Sequence, residues 1–148
     1  MLRSNPIITD TKPDWGERQM SHTQTVSIVD DDPLAREGIK ELVESLGYKA
    51  LAFVSAQDFL QSGAIVKTGC LITDLQMPGL SGLELQERLQ AQGYRTPVIL
   101  ITAYPDEKHR NRAMSAGAIG FLSKPFEEQS LLECLTIAMK RPHDRPTA

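Results

Sequence analysis

Residues 25–46 read TVSIVDDDPLAREGIKELVESL. A short β-branched run, Thr25–Val29, meets three consecutive acids, Asp30, Asp31 and Asp32, and then a proline that suits the first turn of a helix. From Pro33 to Leu46 the residues Leu34, Gly38, Ile39, Leu42, Val43 and Leu46 recur at 3.6-residue spacing, which predicts one apolar helix face. Gly47 is a fitting stop. The stretch therefore reads as a strand, an acidic turn and a helix.

The same unit recurs along the chain. Lys49–Val54 reads as a second strand, and Ser55 can cap a helix over Ala56–Gln61 that Gly63 ends. Cys70–Thr73 is a third strand and Gly82–Gln92 a helix with Leu83, Leu85 and Leu89 apolar. Pro97–Ile101 is a fourth strand; Pro105 suits a first helical position before a polar helix, Asp106–Ser115. Ile119–Leu122 is a fifth strand and Phe126–Lys140 the last helix, with Leu131, Leu132, Leu135, Ala138 and Met139 facing in. Five strand–helix repeats predict an α/β fold: a parallel sheet with helices on both faces. The apolar strands suit burial on both sides.

Composition excludes several classes. The chain has 148 residues, 41% hydrophobic and 24% charged, enough for one domain with a core of its own. No apolar run approaches the 18 or so residues of a membrane span, and the first residues carry no signal-peptide core, which leads to an expectation of a cytoplasmic protein with no membrane partner. Cys70 and Cys134 stand too far apart for a zinc or redox motif and read as buried small apolar groups. The formal charge is −3 and no basic cluster exceeds Lys140–Arg141, so direct nucleic-acid binding is not expected. Residues 1–24 read as a flexible arm, 25–140 as the domain, and 141–148 as a tail or truncated linker.

In folds of this kind ligands gather beyond the carboxyl ends of the strands. Strand one is followed there by Asp30, Asp31 and Asp32, strand three by Asp74, strand four by Thr102 and strand five by Lys124. Each has an ordinary reading alone: a helix cap, a turn, strand-end decoration, a solvated lysine. Together they assemble several carboxylates, a hydroxyl and an ammonium on one rim. Clustered carboxylates call for a hard cation such as Mg2+. Asp at a strand tip is a competent nucleophile, and a lysine supplies a point charge for a phosphoryl group. These are the parts of phosphoryl transfer.

The segments VSIVDDDPLAR, LITDLQMPGLSGLEL, VILITAY and AGAIGFLSKPF together resemble the receiver domain of bacterial two-component response regulators, over about residues 25–140. The wording around Asp74 is most similar to the subfamily with helix-turn-helix output domains. The resemblance implies a flavodoxin-like (βα)5 fold with strand order 2-1-3-4-5. It implies that Asp74 is the phosphoacceptor, that Asp30 and Asp31 bind Mg2+ with Asp74, and that the backbone carbonyl of Gln76 completes the metal shell. The triple Asp leaves that register open by one; Arg36 favours Asp30 and Asp31, because the family often places Arg five residues after the second acid, which leaves Asp32 as an extra acid near the metal. Thr102 matches the switch hydroxyl, Lys124 the phosphate-binding lysine, Phe121 the aromatic switch, and Lys124–Pro125 a cis bond.

The implied partner is a sensor histidine kinase, and the implied output is a changed surface on the fourth helix, fifth strand and fifth helix, through which a homodimer or an output domain could be engaged. Transcription is then a function of relatives, since these residues contain no DNA-reading element. Catalysis is expected only of the chain's own phosphorylation and dephosphorylation. An aspartyl-phosphate hydrolase of the haloacid dehalogenase kind would show Asp-x-Asp, whereas Gln76 stands two past Asp74. A dinucleotide-binding reading lacks GxGxxG. His22, His109 and His143 are assigned no place on the rim, and nothing assigns a role to Trp15.

Overall fold

A computed structural model describes residues 24–140; the arm and tail read from the sequence lie almost wholly outside them. The elements are β1 (Thr25–Val29), α1 (Pro33–Ser45), β2 (Lys49–Phe53), α2 (Ala56–Ser62), β3 (Cys70–Asp74), α3 (Gly82–Ala91), β4 (Val98–Thr102), α4 (Glu107–Ser115), β5 (Gly120–Ser123) and α5 (Glu128–Lys140), with one 3-10 turn at Ala64–Lys67. The five strands form one parallel sheet in the order β2-β1-β3-β4-β5. This is the doubly wound, flavodoxin-like arrangement.

Two apolar layers cover the sheet. Ile39 and Val43 of α1 and Leu131, Leu135 and Ala138 of α5 pack against one face. Phe59 of α2, Leu83, Leu85 and Leu89 of α3 and Ala113 of α4 pack against the other. All of β1, β3 and β4 is buried, as strands covered on both sides must be. The edge strand β2 is only half-buried after an exposed Lys49.

The chain departs from its sequence pattern at a few points. Leu34, predicted on the apolar face of α1, is 85% exposed. It lies in the first turn of α1. Pro105 precedes the helix instead of opening it: Asp106 is the cap of α4, its carboxylate accepting from the Lys108 amide at 2.7 Å. Phe126 likewise lies before α5. Gly63 turns the chain at φ +76 and delivers a 3-10 turn that periodicity did not show, burying Ala64 and Ile65. Buried Gln86 among the leucines of α3 was not anticipated either.

The start of α3 is held against the functional rim. Ser81 and Glu84 form a reciprocal capping box, Glu84 amide to Ser81 Oγ at 3.1 Å and Ser81 amide to Glu84 Oε1 at 2.9 Å. The Gly82 amide donates to the Leu75 carbonyl at 2.9 Å. A Cβ at Gly82 would collide with the Asp74 carbonyl oxygen, a backbone atom that cannot give way alone. Gly82→Ala is therefore expected to lower the unfolding free energy by about 1–3 kcal/mol through overpacking. Urea denaturation measures this, and an unchanged midpoint would show that the α3–β3 approach has room to spare.

Candidate functional site

Parallel register brings the strand ends level. Asp74 pairs across from Ile101, one residue before Thr102, and Thr102 pairs with Ser123, one residue before Lys124. The backbone continues the ladder beyond the strands: Asp30 amide to Phe53 carbonyl at 3.2 Å, Leu75 amide to Ile101 carbonyl at 2.8 Å, and Lys124 amide to Thr102 carbonyl at 2.8 Å. Each functional side chain is thus fixed by a hydrogen-bonded backbone, not by a free loop.

The Lys124 ammonium sits between two carboxylates. Its Nζ lies 2.9 Å from Asp30 Oδ2 and 3.1 Å from Asp74 Oδ1. Asp30 is 1% exposed, and its other oxygen accepts from the Asp32 amide at 3.0 Å. Asp31, which is exposed, completes a cluster in which one oxygen each from Asp30, Asp31 and Asp74 lies within 4.8 Å of the others. Asp32 belongs to the helix instead: its Oδ1 accepts from the Leu34 amide at 3.1 Å and caps α1. Arg36 reaches back with Nη1 to the Asp30 carbonyl at 2.8 Å. The geometry thus separates Asp30 and Asp31, beside Asp74, from Asp32, the extra acid, which caps the helix.

Electrostatics follow from burial and charge. Desolvation pushes the Asp74 carboxyl above its ordinary value; the hydrogen bond from Lys124 opposes this, and the neighbouring Asp30 and Asp31 charges reinforce it. Burial alone would lower Lys124, but hydrogen bonds and charge from Asp30 and Asp74 outweigh it and hold the ammonium above the usual lysine range. Lys124 is therefore charged at neutral pH. Burial also raises the Cys70 thiol, as befits a packed, inert cysteine.

The remaining expected residues lie around this centre. Thr102 is buried, and its Oγ1 accepts from the Tyr104 amide at 3.0 Å. Tyr104 itself is 73% exposed. Phe121 is half-buried and lines a small hollow with Pro105 and with Glu107 and Arg110 of α4. The Lys124–Pro125 bond is cis. Gln76 is exposed on the β3–α3 loop. His109, given no place near the rim from the sequence, lines a hollow of about 240 Å3 with Gln76 and Glu84. Position on a polar helix carried no signal for that contact.

The oxygen donors fit a hard divalent cation: among the described residues the cluster consists of the carboxylates of Asp30, Asp31 and Asp74. Buried carboxylates, a charged lysine and a buried hydroxyl thus meet on the carboxyl-end rim of a five-stranded parallel sheet. The chain belongs to the response regulator receiver domain family, whose model matches residues 26–136. It is 39% identical over 139 residues to Nodulation protein W of Bradyrhizobium diazoefficiens, an alignment covering 91% of this chain and 61% of that one. It is 37% identical over 122 residues to Transcriptional regulatory protein FixJ of Azorhizobium caulinodans, covering 82% and 58%. Among solved structures, the FixJ-N crystal structure matches with TM-score 0.73 and 36% identity, over 80% of this chain and 94% of that one. The structure of response regulator StyR matches with TM-score 0.73 and 46% identity, over 78% and 59%. The chain spans about three fifths of the length of the curated relatives it matches.

The raised carboxyl of Asp74 has a consequence for stability. The folded protein protonates Asp74 more readily than the unfolded chain does. Stability therefore falls as pH rises from the ordinary carboxylate value of 3.8 through the raised one, and the full cost is present above it. Asp74→Asn is expected to raise the thermal midpoint at pH 7.5 in the presence of a chelator, and this gain should shrink as pH approaches 4. Melting curves of both proteins across that range check it; a gain independent of pH would contradict the assignment.

Proposed function

We propose that this chain is the phosphoacceptor of a two-component relay, taking a phosphoryl group from a phosphohistidine of a sensor kinase onto Asp74. The observation that carries this reading is the Lys124 ammonium lodged between Asp30 and Asp74, with Asp31 beside them. Three carboxylates cluster beside one lysine that contacts two of them, so in this reading the rim holds an excess of negative charge and the donor set for Mg2+: Asp30, Asp31, Asp74 and the backbone carbonyl of Gln76. When bound, Mg2+ neutralises charge on the carboxylates and on the phosphoryl oxygens.

In the transfer, an Asp74 carboxylate oxygen attacks phosphorus and forms an O–P bond as the N–P bond to the kinase imidazole breaks, with the electron pair leaving on that nitrogen. Lys124 moves its charge from the free carboxylate to the new phosphoryl oxygens. The Thr102 hydroxyl turns from its local contact with the Tyr104 amide and donates to another. Phe121 fills the space Thr102 vacates, and the surface of α4, β5 and α5 changes with it. That surface engages an output domain or a second copy of the chain. Water attacks phosphorus in the return step and frees Asp74. Gln76, two residues on, offers no carboxylic acid to protonate an alkoxide leaving group, so turnover of phosphomonoesters is not part of this reading.

Incubation with Mg2+ and a small phosphodonor such as acetyl phosphate tests the proposal by intact-protein mass. The wild type is expected to gain one phosphoryl group, and Asp74→Asn none. Equal gain in both would place the modification elsewhere. Tyr104 is exposed and two residues past Thr102, and in this reading its ring flanks the path of the attacking water. Tyr104→Ala is expected to speed dephosphorylation, followed by the decay of the phosphorylated mass; an unchanged rate removes Tyr104 from the water path.

A further inference from the structure

Three side chains of α3 grip one end of α4. The buried Gln86, 1% exposed, points its amide nitrogen at the Ala113 and Ala116 carbonyls, at 3.4 and 3.5 Å. Gln90 donates from its amide nitrogen to the same Ala116 carbonyl. Glu87 receives both arms of the Arg112 guanidinium, Nε to Oε2 at 2.9 Å and Nη2 to Oε1 at 2.8 Å. The carbonyls engaged lie at the C-terminal end of α4; that of Ala113 also accepts from the Ala118 amide at 3.0 Å. In effect α3 caps α4 from the side.

The other end of α4 is held differently. Asp106 caps its own helix through the Lys108 amide, and the segment before it hangs from the Thr102 hydroxyl through the Tyr104 amide. Among the described residues no side chain of α3 hydrogen-bonds to the first turn of α4. The arrangement at Gln86 also leaves its amide oxygen buried without a donor. A leucine would fill that apolar position without that penalty, so the glutamine stands there at a cost in stability.

We infer that Gln86, Gln90 and the Glu87–Arg112 pair are positioning residues that pin the C-terminal half of α4 to α3, so that α4 answers phosphorylation by pivoting about Ala116. The N-terminal half, tied to Thr102, is the part that moves. This rests on the phosphoacceptor reading and specifies how that site drives the surface. An unpinned helix would slide or unwind as a whole, and the signal would spread along it.

Amide NMR of the full chain with Mg2+ and beryllofluoride, a phosphoryl mimic, tests the pivot. In the wild type, shift changes within α4 should concentrate at Glu107–Arg110 and fade before Ala116. In Gln90→Ala/Arg112→Ala they should extend to Ala116 and Gly117. Without beryllofluoride, amide exchange in α4 should quicken in that variant by about twofold to fivefold, the scale of an exposed ion pair, while α5 stays unchanged. Gln86→Leu, which keeps the core filled, should spread the shifts in the same sense. Evenly spread shifts in wild-type α4, with a normal beryllofluoride response, overturn the pivot alone. A wild type that gives no response overturns the phosphoacceptor reading and the pivot with it.

Discussion

One lysine against three carboxylates is the constraint on which the rest of the rim depends. Asp30 and Asp74 are removed from water by the sheet and helices around them, and the Lys124 ammonium meets both within 3.1 Å. Opposite charges brought together in this way must be fully partnered, because a buried carboxylate without a cation is strongly unfavourable. Asp30 is satisfied: Lys124 on one oxygen, the Asp32 amide on the other. Asp74 is less so, and its carboxyl is raised in consequence. The group with the least settled charge is the one proposed to react.

The sheet makes this arrangement rigid. Asp30 follows β1, Asp74 ends β3, and Lys124 follows β5, three strands that approach one another only through the order β2-β1-β3-β4-β5. Residues 94 apart in sequence thereby share a hydrogen bond. The register places Thr102 on β4 between them. A one-residue slip in any strand would turn its functional side chain to the other face, so the pairing register of the sheet also fixes the chemistry. The rim is strong at its base and looser above: the loops that carry Gln76 and Tyr104 are exposed.

Much of this was legible beforehand. Short apolar runs ending at Asp, Thr or Lys announced both the strands and the rim, because the parallel sheet brings strand ends together without further information. The four segments around Asp30, Asp74, Thr102 and Lys124 pointed to the family that the match over residues 26–136 shows. Less legible were features that depend on tertiary partners. The periodicity of α1 placed Leu34 inward, but among the described residues it is left exposed. The roles of Asp30, Asp31 and Asp32 could be ordered only by resemblance until the cap to the Leu34 amide separated Asp32 from the cluster. Gln86 reads as an ordinary surface residue on a leucine-lined helix; its burial and its grip on α4 arise from a neighbour 27 residues away. The Ser81–Glu84 capping box, by contrast, carried a readable S-x-x-E signal that strand-end reasoning passed over.

The central claim is that the excess negative charge beside Lys124 is a divalent-cation site built around Asp74. Calorimetric titration of the chain with Mg2+ tests it most directly. The account predicts one saturable Mg2+ per chain, weakened at least about tenfold, or roughly 1.4 kcal/mol, by Asp31→Asn and by Asp74→Asn, and preserved in Asp32→Asn. Absence of saturable binding, or equal affinity in all four proteins, would contradict it.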